Sequence, residues 1–187
     1  KKRFNFFIFN MKSISHIFNI SNKKTISILM IKRKILIAGG TGLLGSSLTK
    51  ILSKDKKNIV TSSYFTTRPI KEFKKYFKRY NFLNYKDCLK ATFKKDIVII
   101  AAVKAGGIKH LKDNPAENLI DNIKIRLNLF NASLKNNVRK VIWISSSTIY
   151  QPSKFKISEN KKNLNINPYR DYLITGNIYR FLENILR

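Results

Sequence analysis

The segment that most constrains this chain is Gly39-Gly40-Thr41-Gly42-Leu43-Leu44-Gly45. It follows a short apolar run, Lys34–Ala38, and opens a stretch, Leu43–Leu52, whose apolar residues recur at helical spacing. A glycine pattern carries structural meaning in this strand–turn–helix setting. Gly39 can take backbone angles closed to other residues, so the chain can reverse tightly. At Gly42 no side chain stands between the backbone and an anion, and the following helix offers free N–H groups at the positive end of its dipole. Gly45 lets that helix lie close on the sheet. The turn is therefore expected to hold a pyrophosphate, with Gly39, Thr41, Gly42, Leu43, Leu44 and Gly45 as the binding residues. The Gly-x-x-Gly-x-x-Gly spacing differs slightly from the Gly-x-Gly-x-x-Gly of other dinucleotide folds.

Beyond the turn, strand and helix patterns alternate, as in a parallel sheet covered on both faces. Asn58–Tyr64 reads as a second strand and Ile70–Phe77 as a basic helix. A short third strand is expected near Asn81–Leu83, then a helix from Lys86 to Phe93. Asp96–Ala101 is an apolar run typical of a central parallel strand. Pro115 opens a long helix to about Asn137, with Leu119, Ile123, Leu127 and Phe130 as its buried stripe. Lys140–Ser145 is a fifth strand, and a last helix runs from about Tyr172 to Leu186. The pattern predicts an α/β fold of the Rossmann type, a doubly wound parallel sheet of order 3-2-1-4-5. Its ligand crevice lies at the carboxyl ends of strands one and four, where Ala101, Ala102 and Val103 follow strand four. Strand two lacks the terminal acid that would hold the ribose 2′-hydroxyl of NAD. Ser62 and Arg68 stand there instead and suit a 2′-phosphate, so NADP(H) is expected, with NAD(H) the second choice. Arg68 reads equally well as a solvated loop residue.

Composition excludes little beyond this. The 187 residues are 43% hydrophobic, which permits a buried core and argues against disorder. No apolar run reaches the roughly 18–20 residues that span a bilayer. The single cysteine, Cys88, cannot form an internal disulfide, which suits a reducing, cytoplasmic setting. Lys and Arg number 38 against 10 Asp and Glu, a formal net charge of +28. Such a charge suits a polyanion binder. It equally reflects drift towards AT-rich codons, which favour Lys, Asn, Ile and Phe together, and the lysines are scattered rather than confined to one face. No specific nucleic-acid or membrane partner is expected, and no metal. Residues 1–29 are basic and lack any Asp or Glu. They have the bias of a transit peptide, but Met30 leads straight into strand one and reads as a natural start. The domain is therefore placed at 30–187, and 1–29 is read as an extension, disordered or mistranslated, outside the fold.

Over about residues 31–187 the chain resembles the extended short-chain dehydrogenase/reductases (the epimerase/dehydratase family), and within them the GDP-L-fucose synthase branch. The resemblance is carried by Ala101-Ala102-Val103-Lys104-Ala105-Gly106-Gly107-Ile108 and by Asn114-Pro115-Ala116-Glu117 leading to a buried Asn122. Val141-Ile142-Trp143-Ile144-Ser145-Ser146-Ser147-Thr148-Ile149-Tyr150 carries it further. It implies hydride transfer between a nicotinamide and a carbon of a nucleotide-diphosphate sugar. Ser146 takes the position of the serine that holds the sugar oxygen. The family's Tyr-x-x-x-Lys has no full counterpart. Tyr172 is followed at that spacing by Gly176 and Tyr169 by Leu173. Tyr172 is chosen as the proton-shuttling tyrosine, with Tyr169 the alternative. Thr148 stands where fucose synthases carry an epimerising cysteine. Lys104, Lys109 and His110 read as sugar or phosphate contacts or, more simply, as a solvated basic loop. The family's substrate lobe and its histidine would fall beyond Arg187, so the domain is expected to be incomplete, and a homodimer is implied for a full-length form. A non-catalytic dinucleotide-binding fragment of a decayed or truncated gene is the alternative reading.

Overall fold

A computed structural model describes residues 5–9, 32–104, 115–158, 167 and 173–186. The chain divides into two compact units, Ile20–Trp143 with Lys1–Asn5, and Ile144–Arg187 with Phe6–Asn19.

The first unit is built on parallel strands. In chain order they are β2 (Arg33–Ala38), β3 (Asn58–Tyr64), β4 (Phe77–Arg79), β5 (Ile97–Ile100) and β6 (Lys140–Ile144). A further strand, β1 (Asn5–Phe9), falls in the second unit from Phe6 onward, and β2 to β6 lie in the order β6-β5-β2-β3-β4. Without β1 the order is the expected 3-2-1-4-5. Ile35 pairs in register with Val60 on one side and Ile97 on the other, and Val98 with Val141. Ile35, Leu36, Ile37 and Ala38 are all essentially inaccessible. A strand buried on both faces is what an unbroken aliphatic run produces at the centre of a parallel sheet.

Helices α1 (Leu43–Leu52), α2 (Tyr85–Thr92) and α3 (Pro115–Lys135) follow the sequence reading closely. Asn84 caps α2 by accepting a hydrogen bond from the Lys86 N–H at 2.9 Å. The helix α3 ends on Asn137, whose positive φ of 52° allows Val138 N–H to reach back to Ser133 O at 2.9 Å. Asn128 and Asn136 join α3 to the α2 segment through the carbonyls of Phe82, Leu83 and Leu89.

Three expectations are corrected. The basic stretch after strand two forms a 3-10 helix, Lys71–Tyr76, with no buried residue. A short helix with no face to bury does not extend. The third strand is Phe77–Arg79, in register with Ser62–Tyr64, rather than Asn81–Leu83. The latter segment is bent into a turn, with the Asn81 side chain accepting from Leu83 N–H and Asn84 N–H bonded to Asn81 O. The inner face of α3 is Asn122, Ile125, Arg126, Leu129, Phe130 and Ala132. Phe130 lies where expected, edge-on to Trp143 at 6.0 Å, but Leu127 is 43% exposed. Counting apolar residues alone misses the inward Asn122 and Arg126, and with them the true rotation of the helix.

In the second unit a 3-10 turn, Ser147–Ile149, packs against α4 (Leu173–Ile185). Ile149, Leu182 and Leu186 are buried there, together with Arg180 and Glu183.

Candidate functional site

The glycine turn is locked from several sides. Gly39 has φ +86°, and a Cβ on it would lie 2.6 Å from Ala102 Cα. Its N–H donates to Ser63 Oγ at 2.8 Å, and Gly40 N–H donates to Ser63 O at 2.8 Å. A Cβ on Gly45 would fall 2.0 Å from Gly39 O, so α1 can approach the turn only with glycine there. Thr49 fixes the same contact, donating to Gly45 O at 2.7 Å and sharing a 2.6 Å hydrogen bond with Ser62. Gly42 differs, for a Cβ there would meet nothing nearer than Gly39 O at 3.4 Å. It is also the N-cap of α1, with no side chain capping the helix and no acid in the first turn. The orphan N–H groups of that turn are left to an external acceptor.

Beside the turn lies a cleft of about 670 Å³. Gly39, Thr41, Gly42 and Leu43 line one wall, residues 63–67 and 80–83 another, and Ala101, Ala102, Val103 and Lys104 with Ile125 the remainder. No Asp or Glu is among these lining residues. Of the residues expected from sequence to bind a dinucleotide, Gly39, Thr41, Gly42, Leu43, Ala101, Ala102 and Val103 line the cleft. Leu44, Gly45, Ser62 and Arg68 do not. Ser62 is wholly buried against Thr49, and Arg68 is exposed. The strand-two hydroxyl that reaches the turn belongs to Ser63. Sequence reasoning overlooked it because adjacent serines differ only in the face they present.

The floor of the cleft is held by Asn122. Its side chain accepts from Lys104 N–H at 2.9 Å and donates to Lys104 O at 3.1 Å, pairing both backbone groups of the residue that ends the described segment. The Lys104 ammonium meets Asp121 at 2.6 Å and Glu117 at 3.3 Å. Hydrogen bonds to these two carboxylates hold its pKa above the usual lysine range. Tyr80 stacks on Phe82 at 6.2 Å, and burial, reinforced by Asp87, raises the pKa of its phenol.

In the second unit Ser146 caps the 3-10 turn. Its Oγ accepts from Thr148 N–H at 3.2 Å and from Thr148 Oγ1 at 3.0 Å. On either side of it, Ser145 Oγ donates to Glu183 at 2.7 Å and Arg180 Nε donates to Ile149 O at 2.6 Å. Burial lowers the Arg180 pKa, opposed by the nearby Glu183 charge. The i, i+3 spacing of Arg180 and Glu183 was the available sequence signal for this support. Gly176, which follows Tyr172 at the spacing expected for a lysine, is buried. Tyr172, Tyr169, Gly106-Gly107-Ile108, Lys109 and His110 lie outside the described residues.

A strand, a glycine turn with one open position and an uncapped helix, beside a cleft that no acid lines among the described residues, suit the two phosphates of a dinucleotide. They define a Rossmann-type nucleotide-binding protein. The chain belongs to the NAD dependent epimerase/dehydratase family, whose model matches residues 35–176. It is 27% identical over 132 residues to the GDP-L-fucose synthase of Escherichia coli (strain K12), covering 65% of this chain and 35% of that protein. Its fold is similar to that of the Thermus thermophilus UDP-glucose 4-epimerase in complex with NAD (TM-score 0.67, 21% identity, 81% of this chain and 50% of that one). It is also similar to MlghC, a GDP-mannoheptose C4 reductase from Campylobacter jejuni with NADP bound (TM-score 0.60, 19% identity, 83% and 46%). The chain spans about a third to a half of the length of the first curated relatives it matches. Among the described residues no helix is long and apolar enough to cross a membrane, and no cluster suits a metal ion.

Proposed function

We propose that this chain is the cofactor-binding part of a nucleotide-sugar epimerase, dehydratase or reductase resembling GDP-L-fucose synthase. Its preferred cofactor would be NADP(H), its setting cytoplasmic, and its full-length form a homodimer. The open Gly42, facing a cleft continuous with residues 63–67 and 101–104, carries the reading. When bound, a nicotinamide dinucleotide supplies the hydride carrier for oxidation or reduction at a sugar carbon. The N–H groups of Leu43, Leu44 and Gly45 hold the pyrophosphate. Ser146 already accepts two hydrogen bonds from Thr148, which leaves its own O–H to donate to the sugar oxygen. Tyr172 moves the hydroxyl proton. Thr148 replaces the epimerising cysteine with a poor acid and base, so redox chemistry at one carbon is favoured over 3,5-epimerisation. A second reading, binding without turnover, is favoured by the buried glycine at 176.

The test is fluorescence titration of the purified chain with NADPH and NADH, followed by turnover assays with GDP- and UDP-sugars. Saturable binding is expected, and turnover lost in Ser146→Ala supports catalysis. Binding without turnover, restored by Gly176→Lys, selects the second reading for the natural sequence. Absence of binding to either dinucleotide overturns both.

A further inference from the structure

Among the described residues no Asp or Glu lines the cleft, and the sheet edge offers a residue outside strand two to distinguish NADP(H) from NAD(H). Tyr64, at the end of β3, is in register with Arg79, at the end of β4. The chain after Tyr64 turns along the cleft as Phe65, Thr66 and Thr67, while the chain after Arg79 enters it as Tyr80. Arg79 Nε donates to Phe65 O at 3.2 Å, and its guanidinium stands 5.2 Å from the centre of the Phe65 ring. These contacts fix the plane of the guanidinium beside a residue that lines the cleft. They occupy only the Nε–H. Among the described residues, the two terminal amino groups have no hydrogen-bond partner. Arg68, the residue suggested by sequence, has no such anchorage among the described residues, although it is nearer in sequence to strand two.

We infer that Arg79 is the specificity-determining residue for the 2′-phosphate of NADP(H). The inference rests on the proposed dinucleotide function and names the residue that discriminates within that site. A planar fork held at its Nε presents two parallel N–H groups to phosphate oxygens with little further ordering. A ribose bearing a 2′-hydroxyl gives this fork no charge to pair with, and among the described residues no carboxylate lines the cleft to hold that hydroxyl. Arg79 stands behind the lining residue Phe65 rather than in the lining itself, and the hydroxyls of Thr66 and Thr67, which do line the cleft, add neutral donors beside it.

The experiment compares the 187-residue chain with Arg79→Ala, Arg79→Lys and Arg68→Ala. NADPH and NADH are titrated by fluorescence, and 2′,5′-ADP and 5′-ADP by calorimetry. The unmodified chain is expected to prefer NADPH to NADH and 2′,5′-ADP to 5′-ADP. Arg79→Ala should weaken both 2′-phosphorylated ligands about tenfold or more, while NADH and 5′-ADP change by less than about twofold. Arg79→Lys, which keeps the charge and loses the fork, should fall between. Arg68→Ala should behave as the unmodified chain. The inference is overturned if the preference survives in Arg79→Ala, or if Arg68→Ala abolishes it. It is also overturned if the unmodified chain binds both members of each pair equally. If none of the four ligands binds, the dinucleotide reading fails first, and that blank titration is distinguishable from a lost preference. Because Arg79 is exposed, all variants should share one melting temperature.

Discussion

At the scale of single residues, glycines in one turn do different work, and substitution separates them. Gly45→Ala must place a Cβ 2.0 Å from Gly39 O, a backbone oxygen that already accepts from Gly42 N–H at 3.2 Å. Nothing flexible can yield, so destabilisation of about 1–3 kcal/mol or more is expected. Gly42→Ala has room for its Cβ and an extended backbone at φ −71°. Its cost to folding should stay within about 1 kcal/mol. That Cβ, however, stands where a pyrophosphate must approach, so dinucleotide affinity should fall at least about tenfold. Urea unfolding read beside NADPH titration checks both. A Gly42→Ala variant that binds normally would remove the turn from the site. The pattern of the turn was legible in the sequence because it is local, each glycine answering to neighbours within a few residues. Ser63 and Arg79 were not, because their contacts with Gly39 and Phe65 depend on which strands lie side by side.

At the scale of elements, the boundaries of α1 and β3 could be read from sequence because periodicity and flanking turn residues are properties of the segment itself. The rotation of α3 could not. It is set by Asn122 clamping Lys104, by Arg126 standing 5.7 Å over the Trp143 ring and by Asn128 reaching Phe82 O, all contacts with distant chain. That rotation has a consequence for assembly. It turns Ile120, Leu127 and Leu134 outward at 61, 43 and 44% exposure, one every seven residues along the helix. A seven-residue repeat keeps one stripe on one side of a helix, the condition for packing against a second copy of itself. In α4 Ile174, Phe181 and Ile185 are likewise exposed. The proposed homodimer is therefore expected to use the outer face of α3. Leu127→Glu should weaken self-association about tenfold or more, since burying one leucine contributes about 1.5–3 kcal/mol. Sedimentation velocity over a concentration series measures it. A monomer at every concentration, or a dimer indifferent to Leu127→Glu, would overturn the use of this face.

At the scale of the whole molecule, the formal charge of +28 is plain in the composition, whereas its effect depends on where the acids have gone. Several serve local structure rather than neutralising lysines. Asp96 accepts from Lys34 N–H, Asp87 from Asn81 N–H, and Glu183 from Ser145. Ion pairs among the described residues include Arg33 with Asp55, and Lys104 with Glu117 and Asp121. All join partly exposed groups, where such pairs contribute little and salt weakens them further. The remaining lysines repel one another across the folded surface more than in an expanded chain. Burial and the charges of Lys78 and Lys34 already lower the Lys95 pKa, a local sign of that repulsion. Added salt should therefore stabilise this protein, the opposite of what a fold held by surface ion pairs would show. Raising sodium chloride from about 10 mM to about 100 mM shortens the screening length from about 30 Å to about 10 Å. Each 1 kcal/mol of repulsion relieved should raise Tm by about 2–4 °C for a domain of this size. A melting temperature that stays flat or falls over that range would mean that the few ion pairs outweigh the net charge, and that repulsion between lysines does not govern this surface.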